Sequence, residues 1–187
     1  MPHAYFGTQV SLIPLDDRPA CLQFPQKMGL TGNVEVIAPP KEFLGNFIIP
    51  GKPEKIIQSL KSQDMASYNA AIISLDMLAY GGLVASRVGH VSPDEAMQRI
   101  GIIRTICVMA PHLPICAQSV IMRLAPTGDD KNEAYRGRLA EWAEISGAED
   151  EKSKLSTANL ESQIPPEALL NYQLARKRKP VCKFKSY

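Results

Sequence analysis

Ala70-Ala71-Ile72-Ile73-Ser74-Leu75, followed at once by Asp76, is the stretch that decides the fold. Its six residues are almost continuously apolar rather than alternating. That pattern is typical of a strand covered on both faces, as in a parallel sheet with helices on either side. Pro114 to Ile121 (PICAQSVI) reads the same way. Two further runs, Gln9 to Leu15 (QVSLIPL) and Val34 to Ala38 (VEVIA), complete a set of four expected strands. Pro14 cannot donate to a ladder, so it belongs at an edge or at the last residues of its strand.

Helical patterns separate the strands. Pro53 to Ser62 begins with proline and carries Ile56, Ile57 and Leu60 on one side. Ser92-Pro93-Asp94-Glu95 is a helix start, with Ser as cap, Pro in the first turn and Glu95 completing a capping box. Beyond it Ala96, Ile100, Ile103, Cys107 and Ala110 recur at steps of four and three, which predicts one apolar stripe and a helix ending before Pro111. Asp130 to Ser146 is a more polar helix holding Trp142, and Pro165-Pro166-Glu167 opens a last helix toward Arg178. The order is strand, loop, strand, helix, strand, helix, strand, helix. It predicts an α/β fold, a parallel sheet with helical crossovers, either an open Rossmann-like sheet or part of a (β/α)8-type barrel. The expected division is an N-terminal α/β domain over 1–146, a polar linker or helix extension over 147–164, and a terminal helix with a basic tail over 165–187.

The 187 residues suffice for one domain with a core, and 45% hydrophobic with 21% charged residues is ordinary for a globular protein. No apolar run reaches the roughly 18 residues that span a bilayer, and the first residues lack the pattern of a secretory signal. Cys21, Cys107, Cys116 and Cys182 make no C-x-x-C pair and have neither zinc-site nor disulfide-framework spacing. Cys107 and Cys116 lie in apolar stretches where a buried thiol is expected. Reduced thiols and no signal point to the cytoplasm. The net charge is +2, but six basic residues from Arg176 onward leave 15 basic against 19 acidic elsewhere, a net of −4. The body is therefore mildly acidic and has no electrostatic footprint for nucleic acid.

In parallel α/β folds ligands bind beyond the carboxyl ends of the strands. The four strands here lead into Asp16-Asp17-Arg18-Pro19, Pro39-Pro40-Lys41-Glu42, Asp76-Met77-Leu78-Ala79-Tyr80-Gly81-Gly82 with Ser86-Arg87 beyond, and Met122-Arg123-Leu124-Ala125-Pro126-Thr127. Asp16, Asp17 and Asp76 are the candidate catalytic carboxylates; Arg18, Tyr80, Gly81, Gly82, Arg87 and Arg123 are the candidate substrate-binding residues. In an extended segment Asp16 and Asp17 point to opposite sides. One of them is expected to face the site while the other bonds backbone amides or Arg18, unless the pair simply caps a turn. Asp76 closes a buried strand, where a carboxylate is costly without a partner or ligand. Gly81-Gly82 allows positive φ and either brings amides to an anionic ligand or makes a plain turn. Arg123 needs an acidic partner among Asp16, Asp17, Asp76 or a substrate anion. No cofactor is expected, since neither a G-x-G-x-x-G nor a Walker motif is present. His3, His90 and His112 share no ligand spacing, and a carboxylate-bound Mg2+ has no motif behind it.

Taken together, Leu12-Ile13-Pro14-Leu15-Asp16-Asp17-Arg18-Pro19, Pro39-Pro40-Lys41-Glu42-Phe43-Leu44-Gly45, Ser74 to Arg87 (SLDMLAYGGLVASR) and Ser119 to Thr127 (SVIMRLAPT) resemble, in order, the signatures of the domain-of-unknown-function family 4127. The resemblance covers the chain from about Val10 to about Arg178. It implies that relatives continue into further α/β units with more acidic strand-end motifs, and that the segment Lys179 to Tyr187 departs from the family, so that a truncated N-terminal portion is expected. On these residues the expected function is a carboxylate-dependent, hydrolase-like enzyme acting on a sugar or polyol-like molecule through Asp acid/base chemistry. The alternatives are a non-catalytic protein that binds a small polar molecule, and an inactive remnant. No nucleic-acid or membrane partner is expected, and the oligomeric state is open.

Overall fold

In the computed structural model the described residues are 7–46, 48–87, 91–121, 132–147 and 150–178. They form, in chain order, β1 (Thr8–Ile13), α1 (Gln23–Thr31), β2 (Val34–Ile37), α2 (Pro53–Ser62), β3 (Ala70–Ser74), α3 (Leu75–Tyr80), α4 (Pro93–Ile100), α5 (Ile102–Met109), β4 (Ile115–Gln118), α6 (Glu133–Ile145), α7 (Glu151–Ser162) and α8 (Pro166–Arg178). The four strands are all parallel, in the order β2-β1-β3-β4. A barrel would keep strands in chain order around the ring. Here the chain moves outward from β1 to β2, then returns past β1 to β3 and β4, which is the open doubly wound arrangement. β1 stops at Ile13 because Pro14 has no N–H for the ladder, as expected from the sequence.

The ladder register aligns Ser11 with Ala71 and Ile115, and Ile13 with Ile73 and Ala117. Alternation puts these rows on one face. Ile13, Ala71 and Ile73 there join Ile56 and Leu60 of α2 and Ile103 and Ile106 of α5 in the main core. The other face carries the row Leu12, Ile72, Cys116. Leu12 is buried, but Ile72 is 38% exposed and Cys116 is exposed. The expectation that the third and fourth strands are covered on both faces is therefore corrected. The described helices that follow β2 and β3 pack on one face, and only α1 lies on the other, against β2.

α1 occupies a segment expected to be a loop. None of its residues is buried, and Phe24, Met28 and Leu30 are all more than half exposed, so it has no apolar stripe to read. Pro25 lies in its first turn, where the missing N–H costs nothing. Gly29 lets the helix close on the sheet: a Cβ there would meet the Val34 carbonyl oxygen and Val36 Cγ2 at 2.7 Å each.

The expected single helix from Ser92 is broken into α4 and α5. Ser92 caps the helix as expected, its hydroxyl accepting from the Glu95 N–H at 3.2 Å, while the Glu95 carboxylate pairs with Arg99. At Gly101 the amide donates to both Met97 O and Gln98 O, and the Arg104 amide donates three residues back to Gly101 O. Ala96, Ile100, Ile103 and Ala110 of the expected stripe are buried. Ile106 is buried in place of Cys107, which is exposed. Cys107 and Cys116 are thus both surface thiols rather than core residues; Cys182 lies outside the described residues.

Residues 121–179 form a second compact unit. Its core is Leu139, Trp142, Ala143, Leu160, Ile164 and Tyr172. The Trp142 indole N–H donates to Glu161 Oε1 at 2.9 Å, and its ring meets Tyr172 edge-on with centroids 6.3 Å apart. α7 falls within the stretch read as a polar linker or helix extension. Among the described residues no helix is long and apolar enough to cross a membrane.

Neighbouring residues on the two faces of β3 should respond differently to truncation. Ile73→Ala is expected to cost about 2–5 kcal/mol of unfolding free energy in urea denaturation, as for a fully buried Ile. Ile72→Ala should cost no more than about 1 kcal/mol, since much of its side chain already meets water.

Candidate functional site

β1 and β3 are adjacent, and the strand order reverses between them. In open α/β sheets the crevice beyond the carboxyl ends of such a pair is where ligands bind. Both strands end in carboxylates here: Asp16 and Asp17 follow β1, and Asp76 follows β3.

Asp16 is buried, with a tight set of donors. Its Oδ2 accepts from Arg18 Nε at 2.9 Å and Nη2 at 2.6 Å, and its Oδ1 accepts from the Arg18 backbone N–H at 3.2 Å. Burial alone would raise its pKa. The Arg18 side chain, the Cys21 thiol and the Arg18 amide outweigh burial, in that order, so the carboxyl titrates below its usual 3.8. Arg18 is in turn held above its ordinary value, chiefly by its hydrogen bond to Asp16. Burial, then the hydrogen bond to Asp16, pushes the Cys21 thiol up and keeps it protonated. Asp16 therefore takes the role foreseen for one of the two carboxylates: it bonds Arg18 and a backbone amide, and so holds the turn.

Asp17 is oriented differently. Its Oδ2 lies 3.9 Å from Lys41 Nζ, in a side chain that is 12% exposed against 66% for Lys41. Lys41 arrives from the loop after β2. Pro40 there is extended, and the short turn Lys41–Phe43 is closed by Phe43 N–H to Pro40 O at 2.9 Å and Leu44 N–H to Lys41 O at 3.0 Å. Leu44, 1% exposed, anchors that turn in the core.

Asp76 does not sit on a loop as expected. It lies in the first turn of α3, 1% exposed. The helix is capped by Ser74, whose hydroxyl accepts from the Met77 N–H at 3.3 Å. Asp76 Oδ2 accepts from the Val120 N–H at 2.7 Å and the Ser119 hydroxyl at 3.1 Å. The carboxylate after β3 thus fixes the chain as it leaves β4. α3 itself is held by Arg99, which donates to Ala79 O at 2.7 Å and pairs with Glu54 of α2 and Glu95 of α4. A cation on the carbonyls of a helix end is favourable.

Gly81 and Gly82 have φ of +86° and +127°. Their amides donate to Met77 O at 3.0 Å and Asp76 O at 3.2 Å, so they end α3 rather than point at an anion. Positive φ serves close approach instead. The Gly81 carbonyl accepts from the Gly51 N–H at 2.8 Å, and a Cβ on Gly82 would lie 3.3 Å from the Leu15 carbonyl oxygen. The loop after α3 therefore rests against the loop that carries Asp16. Tyr80 is half-buried against the main core, and Arg87 ends the turn Ala85–Arg87, also half-buried. Arg123 and His90 lie outside the described residues. Among the described residues no three His, Cys, Asp or Glu side chains could hold a metal ion.

A family model described as Protein of unknown function (DUF4127) matches residues 10–181. The chain belongs to this family. No curated protein and no solved structure matches it. The DUF4127 match takes in all four strand-end segments quoted from the sequence, with three partners that the sequence reading did not single out: Cys21 on Asp16, Lys41 on Asp17 and Ser119 on Asp76. Cys21 and Ser119 carried no signal of their own. Lys41 had one, its position directly after a strand-ending Pro-Pro.

The depressed Asp16 carboxyl predicts the acid limb of stability. A group whose pKa is lower in the folded than in the unfolded chain stabilises above the unfolded value and loses that contribution as pH falls through the folded one. Urea midpoints measured from about pH 6 down to about pH 2 should therefore fall less steeply for Asp16→Asn than for the unsubstituted chain. A parallel acid limb in the variant would show that the Arg18 pairing contributes no linkage.

Proposed function

We propose that this DUF4127 chain contributes a small-molecule site at the β1/β3 switch point, with carboxylate-dependent, hydrolase-like chemistry on a sugar or polyol-like ligand. The observation that carries the proposal is the placement of Asp17 and Asp76 after the two strands between which the sheet order reverses. Asp16 supports it by pairing with Arg18 and setting the turn, while Asp17 stands nearest Lys41 from the loop after β2. Acid/base or nucleophilic work by two carboxylates is the established logic of glycoside hydrolysis.

A second reading is favoured by one specific observation. Asp16 and Asp76 both hold backbone amides of the scaffold, and a carboxylate committed to structure is poorly suited to gaining and losing a proton. On that reading the same rim binds a small polar molecule without transforming it.

A panel of aryl glycosides and polyol esters, incubated with the chain, separates the two. Product formation that falls about 100-fold or more in Asp17→Asn, with an unchanged melting temperature, supports the enzyme. Saturable binding of a polyol with no product supports the binding protein. Turnover equal to that of the unsubstituted chain in both Asp17→Asn and Asp76→Asn would remove the carboxylates from the chemistry.

A further inference from the structure

We propose that the segment Val181 to Lys185 pairs with the outer edge of β4 as a fifth, parallel strand of the sheet. Such pairing requires no ligand at the switch point. It completes the sheet on the side from which Asp76 is held.

The two edges of the described sheet are built differently. β2 carries Glu35, which accepts from Gln9 Nε2 at 2.7 Å, and α1 closes on it through Gly29. Charge and a covering helix are how edge strands are kept from pairing further. β4 has neither. Ile115-Cys116-Ala117-Gln118 holds no charge and no proline, and its register against β3 runs without a bulge. Cys116, Ala117 and Gln118 are exposed. The Ala71 N–H donates to Pro114 O at 2.9 Å, so Pro114, Cys116 and Gln118 turn their backbone groups toward β3. Alternation turns the amides and carbonyls of Ile115 and Ala117 outward, and among the described residues no strand lies beyond them.

The tail supplies a matching strand. It lies outside the described residues, and its sequence is Val181-Cys182-Lys183-Phe184-Lys185. Pro180 cannot continue α8 and biases Lys179 toward extended backbone. Beyond it Cys182 and Phe184 alternate with Lys183 and Lys185, the period of a half-buried strand. Its length suits β4, which has 4 residues. Lysines at every second position are also what an outermost strand carries to refuse a further partner. Cys182 and Phe184 take the side of the sheet that bears Ala117 and the main core. The lysines take the side on which Ile72 and Cys116 already meet water.

The direction of pairing follows from connectivity. Between β4 and this segment the chain forms α6, α7 and α8. A strand, then helices, then a strand is the parallel crossover unit, and successive strands are usually neighbours. Pairing at this edge also steadies Ser119 and Val120, the donors to Asp76, which follow β4 directly.

The test is residue-resolved amide hydrogen exchange of the full chain, unsubstituted and as a Lys183→Pro, Phe184→Pro double variant. The variant loses two successive N–H groups, so a ladder donor goes whichever way the segment faces. The Ile115 and Ala117 amides are expected to exchange at least about 100-fold faster in the variant, while Ile73 in the sheet interior stays strongly protected. In the unsubstituted chain every second amide of 181–185 should be protected too, a readout that needs no variant. Fast exchange at Ile115 and Ala117 of the unsubstituted chain, or uniformly fast exchange over 181–185, would overturn the fifth strand. So would protection of Ile115 and Ala117 that survives in the variant. Protection that rises with protein concentration, in step with a dimer in sedimentation, would overturn the tail as occupant and give the edge to a second copy of the chain.

Discussion

A carboxylate can be buried only where donors replace the water it gives up, and Asp76 shows what that requirement does to this fold. Leaving such a group without partners costs several kcal/mol. Asp76, 1% exposed in the first turn of α3, takes the Val120 amide and the Ser119 hydroxyl on one oxygen. Those two donors lie just beyond β4, more than forty residues along the chain. The end of β3, the start of α3 and the exit of β4 are therefore tied at one carboxylate. Asp16 repeats the device at the end of β1, where Arg18 and Cys21 supply the donors.

The remaining contacts around the rim follow from how tightly α3 must sit. The helix ends at Gly81, whose carbonyl takes the Gly51 amide and so binds the segment that enters α2. A Cβ on Gly81 would lie 3.0 Å from both the nitrogen and the oxygen of Gly51, and its φ of +86° already disfavours a side chain. Arg99 closes the far side by bonding Ala79 O and two glutamates. α3 is short, six residues, and would be marginal alone. It is held from both ends by these contacts.

Much of this was open to reading in the residues. The strand at Ala70–Ser74, the cap at Ser92 and the ladder-ending Pro14 each rest on local chemistry and stand in the fold, although the apolar run did not bring cover on both faces. The candidate carboxylates were legible because a charge after an apolar strand is conspicuous. Three features were not legible. α1 buries nothing, so it has no periodicity. The break between α4 and α5 at Gly101 shows in tightened backbone hydrogen bonds, which no spacing of side chains reveals. The exposure of Ile72 and Cys116 depends on which face the crossover helices take.

The sequence by itself determined the parallel α/β class and which polar residues close the strands, because strand character and proline's missing donor are properties of a few neighbouring residues. Tertiary structure alone decided what those residues do. Asp16 and Asp17 are equivalent in the sequence, yet one is bound by Arg18 from two positions away and the other faces Lys41 from the loop after β2. The order β2-β1-β3-β4 makes that difference, because it sets the ends of β1 and β3 side by side and brings Lys41 to Asp17 and the Ser119 and Val120 donors to Asp76 from far along the chain.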